Sequence, residues 1–274
     1  GFLEGLPTKI ISASNSKAKK IAWVHTNLDQ NRDSDYFFKS DLDQEQAYKK
    51  FNEIYCVSQS AKDAFIKRFK INESIYIINN IINEKEILKL STKKVEASFS
   101  RGINFITVGR LTAQKGYIRL INAYANAIQK TTKKTHLYII GDGSEKDLMV
   151  DTINKLKINN YITLLGSQEN PYKYINRADV YLCGSIIEGF SLAIIEALIL
   201  GKPVLTTKVA NVQQLLNDGK FGLIVENNID GLEYGIIKLI ENAPDLNKYK
   251  KNIKKLFINE YSNIEAIENQ ILKW

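Results

Sequence analysis

The second half of the chain alternates between short apolar runs and amphipathic stretches. The apolar runs, each of strand length, are NFITVGR from residue 104, THLYIIG, ITLLG, VYLCGS, PVLTTKV and GLIVE. The stretches between them, of which GYIRLINAYANAIQK is the longest, have helical spacing. Strands that are apolar throughout and separated by helices are typical of a parallel sheet covered on both faces. The pattern therefore predicts a doubly wound α/β domain over 103–245.

The first ninety residues show the same alternation over shorter segments. Four β-rich runs predict strands at 9–12, 20–25, 54–58 and 75–79. Helices are predicted at Asp41–Asn52 and at Ala61–Phe69, and Ser60 is the predicted N-cap of the second helix. Residues 1–90 therefore predict a second Rossmann-like domain that is only partly present.

Two further segments complete the division of the chain. STKKVEASFSRG, residues 91–102, has no periodicity and is rich in Ser and Lys, which predicts an interdomain linker. Residues 246–274 predict one or two amphipathic helices. The chain begins at Gly1 without an initiator methionine, and a full doubly wound domain has room for about three more βα units of about 30 residues each. We therefore expect a fragment whose first strands are missing.

Composition excludes several classes of protein. The 274 residues are 44% hydrophobic and 25% charged, and no window has the eighteen or so uncharged apolar residues of a membrane span. No signal peptide is recognised, and Cys56 and Cys183 are too few for a disulfide framework or a zinc site, so a cytoplasmic location is expected. No nucleic-acid-binding signature is present.

The net charge of +8 leaves two interpretations open. One is a lysine-rich surface without a partner. The other is attraction to phosphorylated substrates or to anionic lipid, with peripheral contact at the inner face of the cell membrane.

Candidate chemistry lies in the loops that follow the strands, because doubly wound sheets bind ligands beyond the carboxyl ends of their strands. The four relevant loops are 109–116, 141–145, 166–171 and 185–191. Three of them begin with glycine, and Gly184 precedes the fourth. Glycine allows backbone and ligand to approach closely.

The segment SIIEGFSLAIIEALILGKP places one carboxylate, Glu196, within an otherwise apolar helix. A buried carboxylate must be paired or hydrogen-bonded, and two adjacent sugar hydroxyls satisfy both of its oxygens. The alternative is a glutamate that reaches solvent or pairs with a lysine. Glu188 precedes the helix, whose N-terminal N–H groups suit a phosphate or a developing anion.

EGFSLAIIE followed by ALILGKPVLTT resembles the Glu-x7-Glu motif of the retaining glycosyltransferases of family four, which have the GT-B fold. VGRLTAQKG, IIGDGSEKDLM and ITLLGSQENPYKYINRADVYLCGS are similar to the preceding βα units of that family. The resemblance covers nearly the whole chain and is strongest from Phe105 to Thr207. It implies two Rossmann-like domains, the first of them incomplete here.

The resemblance implies a nucleotide-sugar donor, with UDP as the expected nucleotide and no metal or other cofactor. Glu196 would then hold the ribose hydroxyls. Arg110 and Lys115, after the strand that ends at Gly109, would hold the donor diphosphate, whose developing charge needs fixed cations. No Asp-x-Asp motif is present in the sequence to hold a metal.

Further roles follow from the same resemblance. Glu188 would bind the transferred sugar, and backbone N–H groups of Gly189, Phe190, Ser191 and Leu192 would contact sugar and phosphate. His25 would lie near the transferred sugar, and Asn80 would shape the hinge. Catalysis would thus rest on Glu188, Arg110, Lys115 and His25. The base would be flanked by Gly141, Gly143, Gly166 and Ser167.

Three functions remain open at this point. The first is transfer of a sugar to a glycan or lipid-linked acceptor, as in bacterial surface polysaccharide synthesis. The second is a donor-binding module or inactive fragment, favoured by the missing first strands. The third is a nucleotide-sugar epimerase, which the combination of Arg110, Lys115, Glu188 and Glu196 disfavours. A nicotinamide-dependent dehydrogenase is disfavoured because no G-x-G-x-x-G follows a strand.

Overall fold

A computed structural model describes residues 4–29, 32–78, 80, 82–188 and 191–254. The described residues form two compact units. The first unit contains the chain up to residue 80 together with residues 187 and 188, and the second contains residues 82–186 and the chain from Ser191. Each unit is built around its own parallel sheet.

The first unit has a three-stranded sheet. Its strands are β1 (Ile21–Val24), β2 (Glu53–Cys56) and β3 (Ile75–Ile77), paired in that order and all parallel. Its helices are α1 (Leu6–Ala13), α2 (Asp41–Tyr48) and α3 (Gln59–Phe69), with a 3-10 turn at Asp33–Phe37. The core includes Val24, Phe65 and Phe69, which are almost fully buried. Three of the four strands predicted here are confirmed.

The fourth prediction, a strand at 9–12, is wrong, because these residues lie in α1. Pro7 occupies the first turn, where its fixed φ favours a helix and its missing N–H costs no hydrogen bond. The buried face consists of Thr8 and Ser12, one helical turn apart, whereas Ile10 is 60% exposed. The apolar run therefore does not mark the buried face of this element.

The predicted N-cap at Ser60 is also wrong. The Ser58 hydroxyl accepts a hydrogen bond from the Ala61 N–H at 3.2 Å, and α3 begins at Gln59. A serine at the N-cap satisfies one of the free N–H groups of the first turn. Ser60 lies within that turn.

The second unit has a six-stranded parallel sheet, as predicted. Its strands are β4 (Ile103–Val108), β5 (Thr135–Ile140), β6 (Ile162–Gly166), β7 (Val180–Cys183), β8 (Val204–Thr207) and β9 (Gly222–Val225). The spatial order is β6-β5-β4-β7-β8-β9. The chain starts in the middle of the sheet, runs outward to β6, and then returns to the other side of β4. This order defines a doubly wound Rossmann-like domain.

Helices cover the sheet of the second unit. They are α4 (Glu84–Ser91), α5 (Tyr117–Gln129), α6 (Lys146–Leu156), α7 (Tyr172–Ile175), α8 (Leu192–Ile199), α9 (Val212–Leu215), α10 (Ile229–Glu241) and α11 (Ala243–Asn252). α5 packs against α6 and α10, whereas α4 packs against α7 and α8. Phe105 joins the core under α5, while Ile106, its neighbour on β4, points to the opposite face and is also fully buried. Both faces of the sheet are therefore covered.

The segment predicted as a linker lies against the second unit. α4 ends at Ser91, and residues 92–102 form neither helix nor strand. The Phe99 ring stacks on Tyr138 of β5 at 4.3 Å between centroids, and the Tyr138 hydroxyl donates to the Ser98 carbonyl at 3.1 Å. Of the predicted C-terminal helices, α11 is present, and residues 255–274 lie outside the described part of the chain. No helix among the described residues could cross a membrane.

Candidate functional site

The strand order brings two of the predicted loops together. β4 and β7 are neighbours in the sheet, with Phe105 paired to Val180 and Ile106 to Tyr181. The chain leaves β4 toward α5 on one face and leaves β7 toward α8 on the other. This reversal of winding is the position at which doubly wound sheets bind ligands. The loop 109–116 follows β4 and the loop 185–191 follows β7, so the two loops start on either side of this reversal.

The loop after β4 presents the two predicted cations. Arg110 is exposed, and Lys115 is half-buried at the end of a 3-10 turn, Ala113–Lys115. Gly116 ends that turn at φ 65° and is at the same time the N-cap of α5. The positive end of α5 thus follows directly after Lys115. Lys115 and the start of α5 are therefore adjacent at the carboxyl edge of the sheet.

Backbone hydrogen bonds join this loop to the loop after β5. The Gly109 N–H donates to the Ile140 carbonyl at 3.0 Å, and the Leu111 N–H donates to the Asp142 carbonyl at 2.9 Å. The Glu145 N–H donates back to the Leu111 carbonyl at 2.9 Å. The loop that carries Arg110 therefore has a backbone fixed on both sides of that residue.

Gly141 makes this close approach possible. Its φ is +149°, and a Cβ at this position would lie 1.9 Å from the carbonyl oxygen of Gly109. Its N–H donates to the carbonyl of Gly166, at the end of β6, at 2.9 Å. Gly143, at φ +156°, lies against the backbone of Leu111 in the same way. Both glycines, predicted to flank the base, therefore also hold the loops together.

Replacing Gly141 by alanine is expected to lower the free energy of unfolding by roughly 2–4 kcal/mol. The new Cβ would collide with backbone, and the residue would keep an unfavourable φ. Gly201→Ala is the control, because Gly201 has φ 70° but open space around its Cβ, so only backbone strain of about 1 kcal/mol applies. Urea unfolding followed by circular dichroism measures both. If both variants lost the same free energy of unfolding, the close contact between Gly141 and the Gly109 carbonyl would be contradicted.

A network that the sequence did not reveal holds the segment after β7. Arg119, in the first turn of α5, donates from Nε to the Gly184 carbonyl at 2.9 Å and from Nη2 to the Ser185 carbonyl at 2.7 Å. Its Nη2 also donates to the Asn227 side-chain oxygen at 2.6 Å. Burial lowers the pKa of the Arg119 guanidinium, and within the described residues its acceptors are amide oxygens rather than carboxylates. Arg119 thus adds positive charge beneath the β7 loop.

Three further hydrogen bonds fix the same segment. The Thr207 hydroxyl, at the end of β8, donates to the Ser185 carbonyl at 2.6 Å. The Ile186 N–H donates to the Gln114 carbonyl at 2.8 Å, and its own carbonyl accepts from the Asn227 side chain at 3.0 Å. The sequence carried one signal of this network, because Arg119 is the single cation of α5 and lies at its unfavourable, N-terminal end.

The predicted sugar and phosphate contacts lie at the start of α8. Ser191 is buried and occupies the N-cap position, but its side chain makes no capping hydrogen bond. Leu192, the first helical residue, is 40% exposed. The Ser191 side chain therefore does not cap the N–H groups of this first turn. Glu188 follows β7, and Gly189 and Phe190, predicted to contribute N–H groups, lie outside the described residues.

Glu196 is half-buried on α8 and is paired with a tyrosine. Its Oε1 accepts a hydrogen bond from the Tyr172 hydroxyl at 3.1 Å. Burial raises the pKa of Glu196, and the hydrogen bond from Tyr172 lowers it in part. The alternative of a lysine partner is not found among the described residues. Glu196 is therefore a half-buried carboxylate with one oxygen held by a hydrogen bond.

The loop after β6 is shaped by its own side chains. Gly166 has φ 67°, and Ser167 is exposed. The Gln168 amide nitrogen donates to the Leu165 carbonyl at 2.7 Å, and its oxygen accepts from the Tyr174 hydroxyl at 3.0 Å. Ser167 is therefore accessible to solvent, while the next residue, Gln168, is held by hydrogen bonds.

His25 belongs to the first unit and follows β1. The backbone N–H groups of His25 and Thr26 both donate to the Glu4 carboxylate, the second at 2.8 Å. The His25 ring stacks on Trp23 at 6.3 Å between centroids. Burial lowers the pKa of His25, while the Glu4 charge raises it in part. Asn80 is half-buried, and each of its immediate neighbours, residues 79 and 81, lies outside the described residues.

Within the described residues, no group of three or more His, Cys, Asp or Glu side chains is placed to hold a metal ion.

Comparison with known proteins identifies the family. The sheet order defines a doubly wound Rossmann-like domain. The family model described as glycosyl transferases group 1 matches residues 89–256, which is more than half of the chain. The chain therefore belongs to the glycosyl transferases group 1 family.

Curated relatives agree with this assignment. An uncharacterized glycosyltransferase of Methanocaldococcus jannaschii is 31% identical over 74% of this chain and 51% of its own length. The N-acetylgalactosamine-N,N'-diacetylbacillosaminyl-diphospho-undecaprenol 4-alpha-N-acetylgalactosaminyltransferase of Campylobacter jejuni is 30% identical over 76% of this chain and 56% of its own length. The chain thus spans about half the length of these relatives.

Solved structures show the fold. TarM of Staphylococcus aureus, solved in complex with UDP among other ligands, matches with a TM-score of 0.78 at 23% identity, over 95% of this chain and 51% of its own. HepE of Anabaena, also solved with UDP, matches with a TM-score of 0.76 at 20% identity, over 93% of this chain and 71% of its own. The predicted GT-B class of α/β fold is confirmed by these likenesses.

Proposed function

We propose that the chain is a retaining glycosyltransferase that transfers a sugar from a UDP-sugar, with its donor site in the second unit. The observation that carries the proposal is the pairing of β4 with β7. Their adjacency places Arg110 and Lys115, from one loop, at the same sheet edge as the helix of Glu196, which follows the other. TarM and HepE, which share the fold, bind UDP, which supports the choice of nucleotide.

Each part of the donor has a proposed partner. Arg110 and Lys115 bind the diphosphate, the first through a forked contact and the second as a point charge. Glu196 accepts hydrogen bonds from the ribose hydroxyls. The N–H groups of Gly189, Phe190, Ser191 and Leu192 contact sugar and phosphate. The base lies beside Gly141, Gly143, Gly166 and Ser167.

The proposed reaction transfers the sugar with retention of its anomeric configuration. The diphosphate leaves and the acceptor hydroxyl attacks on the same face, with the departing phosphate oxygen taking the proton of that hydroxyl. Arg110, Lys115 and the start of α8 stabilise the charge that develops on the leaving group, so that no metal ion is needed for that task. Glu188 and His25 are proposed to contact the transferred sugar.

The acceptor is proposed to be a glycan or a lipid-linked saccharide of the bacterial surface. The Campylobacter relative carries undecaprenol in its name, and a Staphylococcus aureus relative, 24% identical over 97% of this chain, is named poly(ribitol-phosphate) alpha-N-acetylglucosaminyltransferase. The net charge of +8 supports a cytoplasmic protein in peripheral contact with the anionic inner face of the cell membrane.

Release of UDP from a panel of UDP-sugars tests the transferase proposal, with glycan and lipid-linked acceptors supplied and a chelator added to half the reactions. We expect acceptor-dependent UDP release that the chelator leaves unchanged, and a product of the donor's anomeric configuration by NMR. UDP binding without turnover would favour the donor-binding module instead. Loss of turnover with the chelator would contradict metal independence.

A further inference from the structure

Tyr172 lies on a short helix that is fixed within the second unit. α7 has four residues and follows Pro171. The Asn170 amide, just before it, donates to the carbonyl of Leu90 in α4 at 2.9 Å. Tyr174 anchors the other side of α7 through its hydrogen bond to Gln168. Tyr172 is therefore carried by a backbone held from two directions.

The Tyr172 hydroxyl donates to one oxygen of Glu196 and leaves the other without a partner among the described residues. An ionised carboxylate has about four lone-pair positions, so one tyrosine hydroxyl does not exhaust its capacity. Two ribose hydroxyls can still be accepted while the tyrosine remains bonded. The fixed bond also restricts rotation of a side chain that otherwise has three free torsions.

We propose that Tyr172 is a positioning residue for nucleotide binding, which orients the Glu196 carboxylate so that it can accept the ribose hydroxyls. This inference rests on the proposed role of Glu196. Tyr172 acts through Glu196 and makes the carboxylate ready before the nucleotide arrives, which reduces the ordering cost of binding.

The electrostatics of the pair supports this role. Burial and the neighbouring carboxylate raise the pKa of Tyr172 to about 12, so the hydroxyl stays protonated and can donate throughout the physiological range. Its hydrogen bond lowers the pKa of Glu196 against the effect of burial. Other elements packed against α8 are α4, β7 and β8, and among the described residues none of their titratable groups shifts the pKa of Glu196. These groups are Glu84, Lys85, Glu86 and Lys89 of α4 and Tyr181 and Cys183 of β7.

The sign of the pH effect follows from these pKa directions. Ribose binding needs the ionised carboxylate, so the affinity for UDP falls as the pH falls through the pKa of Glu196. Without the tyrosine hydroxyl, that pKa moves further up. Tyr172→Phe should therefore lose affinity at a higher pH than the wild type does.

The test is calorimetric titration of the full chain with UDP from about pH 5 to about pH 8. Tyr172→Phe is expected to weaken binding by roughly 3- to 10-fold at neutral pH and by more as the pH falls. In a Glu196→Gln background the same substitution should change affinity by less than about 2-fold, because the two effects are coupled. Tyr161→Phe, at an exposed tyrosine, is the control and should match the wild type.

The outcomes separate the inference from the proposed function. If the wild type does not bind UDP, the proposed function fails, and the inference fails with it. If the wild type binds and Glu196→Gln weakens binding, but Tyr172→Phe follows the wild-type pH profile, only the positioning role is overturned. Tighter binding by Tyr172→Phe would also overturn it, because the hydroxyl would then compete with ribose. The positioning role is supported if Tyr172→Phe loses affinity for UDP at a higher pH than the wild type does, and if this difference disappears in the Glu196→Gln background.

Discussion

The double substitution Arg110→Met and Lys115→Met is expected to weaken UDP binding by roughly 10²- to 10⁴-fold. In the proposed donor site each cation contributes a charge-assisted hydrogen bond to the diphosphate, and the loss of each would cost roughly 1.5–3 kcal/mol. The loop backbone around Arg110 is fixed by hydrogen bonds of Gly109 and Leu111, so binding does not have to order this part of the backbone. Calorimetric titration of wild type and variant with UDP measures the change.

A matched control separates these two cations from the general positive charge of the protein. Lys248→Met and Lys251→Met, at exposed positions of α11, remove the same net charge. This control should bind UDP within about 3-fold of wild type, because exposed distant charges are screened by salt. Uridine, which lacks phosphate, should bind all three proteins alike. An equal loss of UDP binding in both double variants would contradict a local diphosphate site.

Replacing Glu196 by alanine is expected to weaken UDP binding by roughly 10- to 150-fold, which corresponds to a lost hydrogen bond to a charged group of roughly 1.5–3 kcal/mol. The loss should depend on the ribose hydroxyls. We therefore expect 2',3'-dideoxy-UDP to bind wild type and Glu196→Ala with similar affinity. Calorimetry with the two nucleotides gives the coupling between carboxylate and hydroxyls.

Glu226→Gln is the control for that experiment. Glu226 is exposed and follows β9, so it lies at the carboxyl edge of the same sheet but in a different loop. The Glu226→Gln variant should bind UDP with the same affinity as the wild type. If Glu196→Ala lost as much affinity for the dideoxy nucleotide as for UDP, the carboxylate would not be a ribose ligand.

The sequence predicts the elements of the second unit well, because their apolar runs are continuous and clearly separated. β7 and β8 are buried at every position, as a doubly covered sheet requires. The order of the strands is not readable from local pattern, and the pairing of β4 with β7 joins residues 75 apart in the chain. That pairing brings the loops of the site together.

The first unit shows where local pattern fails. KIIS is only four residues long, and a run of this length fits a strand or a helix. Pro7 favours the helix, and the packed face is made of Thr8 and Ser12. The hydrophobic pattern in α1 therefore points away from the buried side, which explains the wrong prediction.

Within the candidate site, the sequence identifies the residues proposed to contact a ligand, but not the residues that hold them in place. Arg110, Lys115 and Glu196 are recognisable from their loops and their motif. Arg119 and Asn227 are 108 residues apart, and Tyr172 and Glu196 are 24 apart. Such partners meet only through the fold, since no local spacing relates them.

Calorimetric titration of the unsubstituted chain with UDP, beside uridine and GDP, tests the central claim most directly. The claim is that the carboxyl edge of the second sheet, where β4 meets β7, binds a nucleoside diphosphate. We expect UDP to bind more tightly than GDP and at least about 10-fold more tightly than uridine, because the diphosphate contacts contribute. A chain that is folded by circular dichroism but binds neither diphosphate would contradict the account.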